Sequence, residues 1–371
     1  MRDRLVNYIF VPRPKYFVFP CIMVKKWFEE KGEKADLVVP TGMQSSFEKL
    51  SVEFITSTEF NKREHEEKDN YIFFHHGNEG TYNFFIDIVT GVVKKSENKN
   101  LNVSFLPDGL GNTMWGESFI DRYNAKNSES SVKLLYAFGF GFEHETTLKK
   151  FGSVTNVEYS YLTDFLDTNK YLVELCENVI NEMDLGDSNV ILPYRPWCTS
   201  SFHGGVYDIG DNKYLANIYL ELLKIISISN EQPKVFFRGD TRYPVDCGEI
   251  FKAINDSIPC SEIGSDYPTW LTLEPLMYFL LNKNKVYNFL VLDSTTFQAV
   301  PFLMNNSQSE VAAVIGCPTT LLSLSPVGGE FINRKLKYKI NDFKNRFELF
   351  NSTVPLEINT IDSCCFSVKI S

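Results

Sequence analysis

Asp293-Ser294-Thr295-Thr296 is the stretch whose residue types best suit anion chemistry. It follows a nearly unbroken apolar run, 286–292, and leads into an apolar stretch that reaches Met304. A strand covered on both faces needs such a run. A helix starting at the turn would offer unpaired N–H groups and the positive end of its dipole to a phosphate beside the hydroxyls of Ser294, Thr295 and Thr296. The plainer reading is that Ser294 or Thr295 only caps the helix.

Other polar clusters have the same strand-exit character. Pro107-Asp108-Gly109-Leu110-Gly111-Asn112 sets a carboxylate among glycines that let another molecule approach closely. Asp108 could take a proton from an acceptor hydroxyl, with Gly109 and Asn112 lining the approach; as an isolated triplet it is also a common turn. Pro193-Tyr194-Arg195-Pro196 stiffens the exit of an apolar run and presents a planar cation suited to phosphate or carboxylate. His203 follows in a loop of small residues with Gly204-Gly205 behind it. Arg238-Gly239-Asp240-Thr241-Arg242 sends two arginines out of a strand, with Asp240 placed either to orient one or simply to pair with Arg242. His75 and His76 follow a further apolar run, and a core or surface place is their plainer reading.

Positioning these clusters requires alternating strands and helices. Strands are expected at 5–11, 35–39, 51–55, 71–74, 101–106, 132–138 and 156–161, with helices at 16–31, 81–92 and 171–183. The charged stretch 61–70 reads as a solvated loop or helix end. After a polar linker at 184–188, the alternation resumes: strands 189–192, 234–237, 286–292 and 311–315, and helices 213–226, 247–255 and 273–281. Segment 334–350 is amphipathic, and the tail from Val354 reads as short strand or coil. This pattern predicts an α/β chain with two doubly wound halves and ligands outside the carboxyl ends of the strands. The expected domains are 1–184 for the acceptor, 189–330 for the donor, and 331–371 as a helix and tail packing back across the linker.

Composition narrows the function classes. The 371 residues exceed what one core usually serves. A net charge of −10 argues against a nucleic-acid partner, which needs a dense basic face. The eight cysteines form no C-x-x-C pair, so a zinc or redox centre is not expected. No secretory signal and no membrane-spanning run is read, so the expected location is the cytoplasm. Motifs for a P-loop, a dinucleotide site and a serine hydrolase are missing. So is D-x-D, which weakens a metal-bridged sugar diphosphate.

Taken in order, Pro107-Asp108-Gly109, Tyr194-Arg195-Pro196 and Asp293-Ser294-Thr295-Thr296 resemble the acidic-Gly, His-Pro and Ser-Ser/Thr motifs of bacterial sialyltransferases of the two-Rossmann GT-B type. The run from Arg238 to Pro244 is similar to members that decorate O-antigen and capsule repeats. Arg195 stands where that family pattern has histidine.

The resemblance implies two Rossmann-like domains facing a cleft and metal-independent, inverting transfer of sialic acid from CMP-sialic acid to a galactose-containing glycan. Asp108 would be the base, and Ser294 and Thr295 would hold the CMP phosphate. Stabilising the leaving phosphate would fall to Arg195, to His203 or to an arginine of the 238–242 loop. The acceptor would be lipid-linked, which places the protein at the inner face of a membrane without crossing it. CMP-Kdo or a UDP-sugar as donor, and a non-catalytic sugar- or nucleotide-binding protein, are the rival readings.

Overall fold

The computed structural model describes residues 5–12, 18–63, 65, 69–75, 102–107, 133–136, 153–193, 216–217, 219–220, 223–224, 233–239, 244–263, 266–268, 270–283, 285–292, 310–316, 356–360 and 365–370. The chain divides into two compact units. One is Met1–Val173 with Trp270–Thr272, and the other is Glu174–Thr269 with Leu273–Ser371.

The first unit holds a seven-stranded sheet of β1 (Val6–Phe10), β2 (Lys34–Val39), β3 (Ile55–Thr56), β4 (Asn70–His75), β5 (Asn102–Pro107), β6 (Lys133–Tyr136) and β7 (Ser153–Asn156). Their order is β3-β2-β1-β4-β5-β6-β7, and every pairing is parallel. The chain builds outward from β1 in one direction and then from β4 in the other, which is the order of a doubly wound Rossmann-like sheet. β1 is buried along its whole length, as a parallel strand covered on both faces must be.

Helix α1 (Val18–Glu30) packs on β1 and β2. Pro20 falls in its first turn, where a missing N–H has no helical partner to lose. The helix stops at Gly32, whose φ of 74° lets its own amide reach the Glu29 carbonyl and the next amide reach Phe28. The buried Lys25 ammonium donates to the Ala35 carbonyl at 3.0 Å and pairs with Glu29, so the helix is pinned to β2 by a satisfied charge. Two short helices, α2 (Gln44–Lys49) and α3 (Ser57–Lys62), flank β3, and α4 (Ser160–Thr168) packs on α1. Helix α5 (Lys170–Glu182) then carries the chain from the first unit into the second.

The second sheet contains β8 (Ser188–Pro193), β9 (Lys234–Arg238), β10 (Cys260–Glu262), β11 (Val286–Leu292), β12 (Glu310–Gly316), β13 (Leu356–Thr360) and β14 (Cys365–Ile370), in the order β10-β9-β8-β11-β12-β14-β13. Five strands are parallel; β14 and β13 extend the sheet antiparallel. Helix α6 (Pro244–Asn255) packs on β10, and α7 (Glu274–Leu281) precedes β11.

The two Rossmann-like sheets agree with the α/β expectation; local readings differ in instructive ways. The stretch 51–55 is a helix exit followed by only two paired residues: Ser51 takes φ 52°, and the amides of Ser51 and Val52 return to Glu48 and Phe47. The strand placed at 156–161 lies at Ser153–Asn156, and the buried Val157 and Tyr159 that mimicked a strand lead into α4. Asp69 and Asn70, read as part of a solvated stretch, are buried. The Asp69 carboxylate accepts the Val6 amide at 3.1 Å, the first N–H of β1. Strand β10 and the antiparallel pair β13–β14 were not read as such. The expected helices at 81–92 and 334–350 lie outside the described residues; that at 213–226 has helical turns at Ala216, Tyr219 and Leu223.

Candidate functional site

Each polar cluster begins where a parallel strand ends. β8 ends at Pro193, immediately before Tyr194 and Arg195, and β11 ends at Leu292, immediately before the Asp293–Thr296 turn. These two strands are neighbours, with Phe289 in register with Ile191. They also flank the point where strand order reverses: β9 and β10 lie beyond β8, and β12 lies beyond β11. In doubly wound sheets that reversal opens a crevice at the carboxyl edge, because the two connections leave in opposite directions.

In the first sheet, β4 ends at His75 and β5 at Pro107, and these two residues are in register. The chain therefore leaves adjacent strands at the same level, just before His76 and just before Asp108. β4 also flanks the reversal in its own sheet, beside β1.

Two of the singled-out residues are described. His75 is the last residue of β4. Arg238 closes β9, and its guanidinium donates to the carbonyls of Ile263 at 3.3 Å and Tyr267 at 3.4 Å while lying 5.1 Å from the centroid of the Tyr267 ring. A planar fork that bridges two carbonyls over an aromatic face contributes to the chain's own architecture. Asp108, Gly109, Asn112, His76, Tyr194, Arg195, His203, Asp240, Arg242, Ser294, Thr295 and Thr296 lie outside the described residues.

Gly239 has a packing reason of its own. A Cβ there would come within 2.9 Å of the Cys247 Cβ and 3.1 Å of its Sγ. Only glycine lets α6 come this close to the exit of β9.

Sequence reading missed Tyr267 and Trp270. Tyr267 is buried, which pushes its phenol well above the ordinary range, and the Leu276 amide meets its hydroxyl. Trp270 stacks on Tyr171 with ring centroids 6.3 Å apart and planes 14° apart, and the Lys49 ammonium sits 6.0 Å from its centroid. The available signal was the aromatic-apolar stretch 267–271 between a strand and a proline-started helix.

Among the described residues, no helix is long and apolar enough to cross a membrane. The sequence matches no protein-family model, and comparison with curated proteins finds no match. Among solved structures, the chain is similar to the Arabidopsis thaliana UGT89C1 complexed with UDP-L-rhamnose, at 8% identity over 95% of each chain and a TM-score of 0.39. The same protein complexed with UDP gives 8% identity over 94% of this chain and 99% of that one, with a TM-score of 0.37. A glycosyl transferase family 9 protein from Veillonella parvula gives 10% identity over 94% and 98%, with a TM-score of 0.33. At such identities and TM-scores, nothing those proteins bind carries over to this chain.

Proposed function

We propose that the chain is a glycosyltransferase of two Rossmann-like units and, more finely, an inverting sialyltransferase of surface polysaccharide synthesis. Its donor is CMP-sialic acid, and its acceptor is a galactose-containing glycan, carried on a lipid at the inner face of the membrane. One observation carries the reading. The clusters that resemble the sialyltransferase motifs follow the carboxyl ends of parallel strands, and two of them follow the neighbours β8 and β11 at the reversal of the second sheet.

In the reaction, Asp108 takes the proton of the acceptor hydroxyl as its oxygen attacks the anomeric carbon. The bond from that carbon to the phosphate oxygen breaks, and CMP leaves with the electron pair. Charge thus grows on a single phosphate. The hydroxyls of Ser294, Thr295 and Thr296 and the cation of Arg195 meet it, so fixed donors lower the barrier without a metal. His203 stands by as a second donor to the phosphate. Arg238, whose guanidinium also donates to the Ile263 and Tyr267 carbonyls, or Arg242 is the anion-facing cation of its loop, with Asp240 orienting one of them. Tyr194 borders the nucleotide, and His75, His76, Gly109 and Asn112 border the acceptor.

The test is nucleotide release. The protein is incubated with a galactose-terminated acceptor and, separately, CMP-sialic acid, CMP-Kdo or UDP-sugars. CMP released from CMP-sialic acid alone is the expected result. Release from CMP-Kdo or of UDP keeps the glycosyltransferase and moves the donor. Binding of CMP without release from any donor makes the chain a non-catalytic binder.

A further inference from the structure

We infer that Tyr267 sets the plane of the Arg238 guanidinium and is thereby a positioning residue for the donor's anion, a role that rests on the function proposed above. Every group involved belongs to the second unit. The path of the chain at the end of β9 is fixed without the Tyr267 side chain. The Ile263 amide donates to the Phe237 carbonyl at 2.8 Å, and a Cβ on Gly239 would come within 2.9 Å of the Cys247 Cβ. What the backbone leaves open is the long Arg238 side chain, whose rotamer freedom has to be removed before its charge can meet an anion in one orientation.

Tyr267 restricts that freedom in two ways. Its carbonyl accepts from one terminal nitrogen of Arg238 at 3.4 Å while the Ile263 carbonyl accepts from the other at 3.3 Å, so both ends of the fork are held. Its ring lies 5.1 Å from the guanidinium carbon, and a cation over a π face is drawn onto that face. The carbonyl belongs to the backbone and survives any substitution; the ring is what the side chain adds.

The ring is itself fixed. Tyr267 is buried, and its phenol oxygen accepts the amide of Leu276, the third residue of α7. That amide is one of the first-turn donors with no partner inside a helix, and Leu273 before it offers no side-chain cap. Arg238 in turn is in register with Pro193, the last residue of β8. It therefore opens its loop at the level where β8 releases the chain to Tyr194 and Arg195.

Phenylglyoxal labelling of the full chain, mapped by mass spectrometry, reads the guanidinium without a donor. Tyr267→Leu keeps the carbonyl and removes the ring, and Arg238 is expected to react about tenfold faster. Tyr267→Phe keeps the ring and is expected to restore the wild-type rate. Arg63, paired with Asp36 in the first unit, is the internal reference. If Tyr267→Leu does not fold, Tyr267→Met, which fills the space without a π face, is read in its place. Donor kinetics give the second reading: Tyr267→Leu should raise KM for CMP-sialic acid about tenfold with kcat kept within about twofold, as loss of an interaction made equally in ground and transition states does. The inference is overturned if labelling of Arg238 is unchanged in Tyr267→Leu, if it rises as much in Tyr267→Phe or at Arg63, or if it rises while the donor KM stays at the wild-type value. A wild-type chain that turns over no donor sinks the donor reading alone, and the labelling then still decides whether Tyr267 sets the guanidinium.

Discussion

The amino and carboxyl edges of the two sheets differ in where their polar residues fall. At the amino edges, the first strand of each unit carries a buried asparagine as its second residue, Asn7 in β1 and Asn189 in β8, and both are fully engaged with the chain itself. In the first sheet, the Ser104 hydroxyl donates to the Asn70 carbonyl oxygen. The Asn70 amide donates to Asn7, and the Asn7 amide donates to Glu33 and to the Lys34 carbonyl, in a ladder across β5, β4, β1 and the start of β2. In the second sheet, Asn189 accepts the Gly186 amide and donates to the carbonyls of Gly186 and Val286. At the carboxyl edges, the strands release the chain into the polar clusters. Buried polar ladders fix register, because slipping one residue would leave every member unpaired in low dielectric. The comparison teaches that polarity in this chain has two meanings: a fastening at one edge and, on the function proposed above, a place for ligands at the other.

The largest expected break between the edges is Asp108→Asn. In the proposed role of base on the acceptor hydroxyl, Asp108 should cost turnover about a hundredfold to ten-thousandfold when neutralised. CMP affinity, measured by calorimetry, and urea unfolding should stay at the wild-type values. Equal losses of CMP affinity and turnover would put Asp108 in the donor site; a loss of stability would make it a fastening.

Asn70→Ala should do the reverse. It strands the Asn7 oxygen and the Ser104 hydroxyl, both almost fully buried. Two orphaned groups at ~1–3 kcal/mol each give an expected loss of about 3 kcal/mol. Asn189→Ala should cost less, about 1–2 kcal/mol, because the groups it leaves at Gly186 are only partly buried and water can replace part of the pairing. Urea unfolding ranks the two, and turnover per folded molecule should not change in either.

Strand β11 shows what was legible in advance. Its bounds match the apolar run at 286–292, because a strand buried on both faces can be written only in apolar residues. The same logic located β1, β4, β8 and β9, and with them the strand ends on which the site proposal stands. Asp69 and Arg238 were illegible for a shared reason. A charge in a sequence shows that a partner is needed, but not whether that partner is water, ligand or the chain's own backbone. Asp69 read as solvated and is buried on the Val6 amide, and Arg238, read as ligand-facing, also donates to two of the chain's own carbonyls. Ser51 escaped because it holds a left-handed turn that composition assigns to glycine. The stacking of Trp270 on Tyr171 needs two segments about a hundred residues apart in sequence to meet, which no local pattern encodes.

The smallest effect sharpens the comparison at its margin, in a fastening exposed to solvent. Thr56 caps α3: its hydroxyl accepts the Glu59 amide at 3.1 Å, and the Glu59 carboxylate accepts the Thr56 amide at 2.6 Å. The Thr56 backbone and then its hydroxyl hold the Glu59 carboxyl below the usual carboxylate range. With the folded value below the unfolded one, the box stabilises at neutral pH and its contribution fades as pH falls through the ordinary and then the folded value. Thr56→Ala should cost about 1 kcal/mol at pH 7. Its deficit against wild type should shrink as pH is lowered, because the carboxylate that completes the box is then protonated in both. A deficit constant from pH 7 to pH 3 would show that the hydroxyl caps independently of the Glu59 carboxylate, whose bond to the backbone amide of residue 56 the substitution keeps.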